Sequence, residues 1–240
     1  MSSLALSYSS GPSTKSLIGE TIGVNFDRTV ALHGDRLGLV VSAQGVHWTY
    51  RELSERVDAF AAGLLALGLE PGDRVGIWSP NNAEWVVTQF ATAKAGLVLV
   101  TINPAYRSSE LEYALNKAGC RALVAATSFK TSNYIDMLNG LAPEIAHSKS
   151  GALEAEKVPD LRFIIEISER PSTGMIAFDA VYSMGGVGEQ QRLETLAMTL
   201  QFDDAINIQF TSGTTGLPKG ATLTHHNILN NGFFLGETMH

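Results

Sequence analysis

The run Leu97-Val-Leu-Val-Thr101 is apolar almost throughout, the pattern of a strand buried on both faces as parallel strands are. Covering both faces requires helices above and below a parallel sheet, which narrows the chain to the α/β class. The flanking sequence supplies such helices. Leu53, Val57, Phe60, Ala61, Leu64 and Leu65 recur at three- and four-residue intervals, one apolar helical face, and Thr49 with Glu52 forms a capping box at its start. Glu70-Pro-Gly-Asp73 predicts a turn and Arg74-Val-Gly-Ile-Trp78 a strand; Asn81 or Asn82 then caps a helix that ends at Gly96. Beyond the break at Asn103-Pro104, Ser109 and Glu112 offer a second capping box for a helix to about Lys117, closed by Gly119, and residues 121–126 read as a third strand. Alternation with short connections predicts a mostly parallel sheet with right-handed crossovers, its strand order left open.

Later segments are less regular. Residues 142–160 are small and charged and read as a surface excursion before a strand over 161–167. Gly185-Gly-Val-Gly188 has the glycines of a nucleotide loop but neither a preceding strand nor converging donors, so it reads as an ordinary loop. Residues 206–210 alternate apolar and polar side chains as a half-buried strand, residues 221–224 read as another, and Thr224 caps a last helix from about His225.

Between those two strands lies the stretch Thr211, Ser212, Gly213, Thr214, Thr215, Gly216, Leu217, Pro218, Lys219, Gly220. Its glycines allow tight turning and close backbone approach, while the hydroxyls of Ser212, Thr214 and Thr215 and the ammonium of Lys219 all donate to phosphate oxygens. No acceptor-only side chain interrupts it. A Walker loop starting at Gly213 needs Gly, Lys and Ser or Thr at positions 218 to 220, where this chain has Pro218, Lys219 and Gly220. A Walker loop also runs from a strand straight into a helix, whereas this stretch joins two strands.

Bulk properties set limits. With 240 residues, 45% hydrophobic and 17% charged, the chain has an ordinary globular composition, and its formal net charge of -7 disfavours general nucleic-acid binding. Cys120 is the single cysteine, which excludes an internal disulfide and a multi-cysteine metal site and fits a reducing compartment, the cytoplasm or, in a eukaryote, the mitochondrial matrix. No run approaches the roughly 18 apolar residues of a membrane span. Residues 1–19, rich in serine, read as a loose N-terminal tail.

The stretch from Thr211 to Gly220, together with Trp48-Thr-Tyr-Arg-Glu-Leu53, Gly72-Asp-Arg-Val75, Ile102-Asn-Pro-Ala-Tyr-Arg107 and Glu110-Leu-Glu-Tyr113, resembles the adenylate-forming (AMP-binding) superfamily. Within it the chain is most similar to acyl-CoA synthetases of the medium-chain branch, from about residue 20 to the end. The resemblance implies the N-terminal part of the large domain of the acyl-adenylating fold, over residues 20–240. It also implies a two-step reaction, in which a fatty carboxylate attacks the α-phosphorus of ATP, releasing pyrophosphate, and CoA thiol then displaces AMP. By position, residues 211–219 would wrap the β- and γ-phosphates through backbone amides and hydroxyls; Lys219 would follow the departing pyrophosphate and Pro218 would stiffen the loop.

ATP and CoA are the implied co-substrates and Mg2+ the implied ion. The family's magnesium ligand, ribose-binding aspartate, hinge and small C-terminal domain with its catalytic lysine all lie downstream of the phosphate loop, so the resemblance implies an incomplete fragment, inactive alone. Two alternatives remain open: a non-catalytic module that binds nucleotide or a partner, and an adenylating enzyme with another acceptor, of luciferase or peptide-synthetase type. An incomplete domain is expected to expose apolar surface and a sheet edge and to self-associate. Among single residues, His225 and His226 read as the first turn of the last helix, one of them exposed, rather than an acid–base pair; Cys120 reads as a structural thiol. Trp78, Trp85, Phe90, Phe233 and Phe234 read as core or as faces for later segments rather than adenine platforms.

Overall fold

Burial of the apolar runs organises the chain around one sheet. The computed structural model describes residues 14–149, 151–211 and 218–239. In chain order the elements are α1 (Ile22–His33), β1 (Leu37–Val41), β2 (Val46–Thr49), α2 (Tyr50–Ala66), β3 (Arg74–Trp78), α3 (Ala83–Lys94), β4 (Val98–Thr101), α4 (Ser108–Ala118), β5 (Cys120–Ala125), β6 (Ser128–Phe129) and β7 (Ser132–Asn133). There follow α5 (Tyr134–Leu141), β8 (Phe163–Glu166), β9 (Ile176–Ala177), α6 (Phe178–Val181), α7 (Val187–Thr199), β10 (Ala205–Thr211), β11 (Lys219–Thr224) and α8 (His225–Thr238).

The seven-stranded sheet has the order β11-β10-β4-β3-β5-β8-β9. Every neighbouring pair is parallel except β10 with β11, which form an antiparallel hairpin at one edge. Side chains alternate across the strands and so build two cores. On one face Val75, Ile77, Leu99 and Val124 pack under α2 and α3 through Leu53, Val57, Phe60 and Val87. On the other, Trp78, Val100, Leu123 and Ile164 pack under α4 and α5 through Leu111, Leu115, Tyr134 and Leu138.

Local signals place the element ends. Thr49 and Glu52 cap α2 reciprocally, and Asn82 accepts the Trp85 N–H at 2.8 Å to start α3. Gly119, at φ +62°, ends α4 in the left-handed conformation that glycine adopts without a Cβ penalty.

Four expectations need correction. The start of α4 is not set by Ser109 and Glu112: Arg107 is extended and Glu110 reaches back to its N–H at 2.7 Å. Residues 142–160 are not merely a surface excursion, because Ile145, Leu153, Ala155 and Val158 are buried in the core beneath α5. Gly186 is the residue before α7, so the Gly185–Gly188 stretch opens a helix, with Glu189 reaching back to the Gly186 N–H at 2.8 Å. Lastly, neither histidine at the start of α8 is exposed.

Candidate functional site

The hairpin of β10 and β11 carries the phosphate-binding candidates, and its first strand begins with an irregularity that aims its side chains. Between Ala205 and Asn207 the pairing with β11 slips by one residue. Ile206 packs with Ala93 and Ile22, while Asn207 lies opposite Leu99 of β4, so two consecutive side chains face the α1–α3 side, as a bulge allows. From there normal alternation points Ile208 and Phe210 toward the α4 side, where both pack on the second core. The strand ends at Thr211, opposite Lys219.

Of the nine residues expected to hold phosphate, Ser212, Gly213, Thr214, Thr215, Gly216 and Leu217 lie outside the described residues. The structure places the other three at the hairpin's two ends. Thr211 and Lys219 are exposed, and the Thr211 hydroxyl donates to the Lys219 carbonyl at 3.4 Å. Pro218 is half-buried, and its carbonyl accepts from the Tyr113 hydroxyl at 3.1 Å. Thr211 stands at the carboxyl end of β10, beside the carboxyl end of parallel β4. In open α/β sheets ligands bind outside the carboxyl ends of the strands.

Behind the hairpin, α8 is tied to the start of α1 by contacts that sequence reasoning did not find. The Asn230 side chain accepts from the Ile18 N–H at 2.8 Å and donates to the Ile18 carbonyl at 3.0 Å. One turn earlier, His225 Nδ1 accepts from the Ile22 N–H at 3.1 Å. Lys15 pairs with Glu237 further along, so residues 15–22 run antiparallel to α8, and the later part of residues 1–19 is held by these contacts where a loose tail was expected. These partners are more than 200 residues apart, and an asparagine within an apolar helix face was the only local hint.

His225 is fully buried, and because its Nδ1 accepts, the proton sits on Nε2, which has no partner among the described residues. Burial pushes its pKa below the usual histidine value, with Asp204 pulling weakly the other way. His226 Nδ1 faces the Asn230 amide at 3.2 Å, so both imidazoles serve the helix start and do not converge as an acid–base pair. A folded-state pKa below the unfolded one means that the stability contribution is present above about pH 6.5 and lost as the pH falls from there through the folded value. The His225→Asn protein keeps an acceptor for Ile22 but cannot titrate. The gap between its melting temperature and the parent's should therefore change between pH 7.5 and 5.5; a constant gap would contradict the assignment.

Other candidates resolve as structure. Burial pushes the Cys120 thiol up to about 12, which leaves no thiolate for nucleophilic chemistry. Trp78 lies in the second core, Trp85 and Phe90 pack against the first, and Phe233 and Phe234 meet edge-on at 5.2 Å on α8. A cavity of about 580 Å3 lies among α1, α2, α3 and α7, away from the hairpin, where Lys94 bridges Asp27 and Asp58. Among the described residues no three of His, Cys, Asp and Glu converge on a metal position, so no ligand set for the implied magnesium is assigned there. No helix among them is long and apolar enough to cross a membrane.

The family described as AMP-binding enzyme matches residues 26–239. The chain is 44% identical over 237 residues to the mitochondrial medium-chain acyl-CoA ligase ACSF2 of Mus musculus and 45% identical over 237 residues to that of Homo sapiens. Each alignment takes in 98% of this chain but 38% of the relative, so the chain spans well under half the length of these proteins. Among solved structures, the anthranilate CoA ligase AuaEII in complex with anthranoyl-AMP superposes with a TM-score of 0.69 at 22% identity, over 87% of this chain and 35% of that one, which shows the fold. Matched over residues 26–239 and built on the same fold, this chain belongs to the AMP-binding enzyme family.

Proposed function

We propose that this chain supplies the ATP phosphate-binding part of an ATP-dependent fatty-acid–CoA ligase, with residues 211–219 as the phosphate loop. The observation that carries this reading is the position of the hairpin: its two ends, Thr211 and Lys219, are presented at the carboxyl end of β10 beside parallel β4. Hydroxyls and the Lys219 ammonium would donate to the β- and γ-phosphates, and Lys219 would balance charge as pyrophosphate departs. Magnesium, fatty acid and CoA belong to the reaction of the complete enzyme. The chain spans 38% of the length of the curated relatives it matches. The names of those relatives support the mitochondrial matrix as its compartment in a eukaryote.

The test has two arms. The purified 240-residue chain should bind ATP, and Lys219→Ala should weaken that binding about tenfold, the effect of losing one charge-assisted phosphate contact. ATP–pyrophosphate exchange driven by fatty acids of any length should be absent. Binding indifferent to Lys219→Ala would remove the phosphate-loop assignment, and exchange by the chain alone would remove the claim that it is catalytically partial.

A further inference from the structure

We propose that Tyr113 is a positioning residue that sets the spacing of the hairpin's two arms where they leave β10 and enter β11. It is a second-turn residue of α4, a helix that is remote in sequence from both arms. Its ring meets Phe210 edge-on, with centroids 6.4 Å apart and planes at 62°. Its hydroxyl passes beyond that ring to donate to the Pro218 carbonyl at 3.1 Å. One side chain thus holds the arriving strand by ring packing and the departing strand by a hydrogen bond.

The strands are shaped to accept it. Phe210 lies opposite Gly220, and a Cβ at Gly220 would stand 3.0 Å from Ile208 Cγ2 and 3.6 Å from the Phe210 ring. The absence of a side chain there lets the Phe210 ring lie over the partner strand, which brings it under Tyr113. The hydroxyl accounts for a carbonyl that the ladder does not use, since pairing with β10 starts only at Lys219. Tyr113 itself is anchored from behind, because Leu111, Ala114 and Leu115 of the same helix are buried against the sheet. Core packing of α4 is thereby transmitted to the peptide between Pro218 and Lys219, and so to the direction in which Lys219 leaves the hairpin.

This role rests on the phosphate-loop reading only for its consequence, not for its geometry, and the experiment separates the two. Tyr113→Phe removes one oxygen and keeps the ring on Phe210. Amide hydrogen exchange of the nucleotide-free 240-residue chain should be faster in the variant over residues 219–221, with the α2 and α3 amides and the melting temperature close to the parent's. ATP affinity should fall about threefold to tenfold, the loss of one hydrogen bond expressed as a ratio. Tyr113→Leu, which also removes the ring contact, should extend the faster exchange to residues 209–211. Unchanged exchange at 219–221 in Tyr113→Phe would overturn the proposal, as would acceleration spread evenly over the whole chain, the mark of a general loss of stability. Local acceleration in a chain whose parent fails to bind ATP would support the positioning role and sink the phosphate-loop reading instead.

Discussion

Replacing Gly63 by alanine is expected to destabilise the protein by about 2 kcal/mol, and replacing it by valine by more, against a typical total of about 5 to 15 kcal/mol. Helix propensity alone argues the other way, since alanine is favoured over glycine inside a helix by about 1 kcal/mol. Packing reverses the sign. A Cβ at Gly63 would lie 2.0 Å from the Val181 carbonyl oxygen and 2.7 Å from Val181 Cγ1. The obstacle is backbone, so no rotamer change relieves it, and α6 would have to move away from α2. That movement would part the Phe60 and Phe178 rings, which stack at 4.2 Å in the first core. It would also disturb the following turn, where a Cβ at Gly185 would fall 2.5 Å from the Ala62 Cβ. Urea unfolding measures the outcome; a Gly63→Ala protein as stable as the parent would show that α6 does not rest on α2 in this way.

Removing the indole of Trp78 should cost about 3 to 5 kcal/mol as Trp78→Ala, the range for emptying a large aromatic site in a closed core. Trp78 ends β3, is fully buried, and stacks on Tyr134 with ring centroids 3.5 Å apart and planes 9° from parallel. The Tyr134 hydroxyl in turn donates to the Pro104 carbonyl, in the connection that leads from β4 to α4. A cavity at Trp78 would therefore loosen the second core and the approach to the helix that carries Tyr113. Trp78→Phe should cost less, about 1 to 2 kcal/mol, because a ring remains on Tyr134 and the lost indole N–H has no acceptor among the described residues. Equal costs for the two substitutions in urea titrations would contradict this account of the site.

The elements legible from the sequence are those whose signals are local. Thr49 and Glu52, Asn82, Gly96 and Gly119 act within a few residues of themselves, so the ends of α2, α3 and α4's last turn follow from the chain alone. The start of α4 misled because Arg107 with Glu110 and Ser109 with Glu112 present glutamates in two competing registers, and the extended backbone at Arg107 selects the first. Helix α7 was illegible for a different reason. It buries no residue fully, and Leu193 and Leu196 only brush the first core, so its sequence lacks a continuous apolar face. Residues 142–160 hid several core side chains in polar surroundings, since a connection can be mostly solvated and still be pinned at a few points.

For the site, the donor chemistry of residues 211–219 and its setting between two strands are properties of contiguous residues, and the sequence by itself determined them. Strand order was a tertiary decision: β10, from the far end of the chain, enters the sheet beside β4 and places the hairpin at an edge. The same is true of what holds that hairpin. Tyr113 reaches Pro218 across 105 positions, and Asn230 and His225 clasp Ile18 and Ile22 across more than 200. No local pattern encodes such pairs, because each depends on two separately folded elements being brought together by burial of the same sheet.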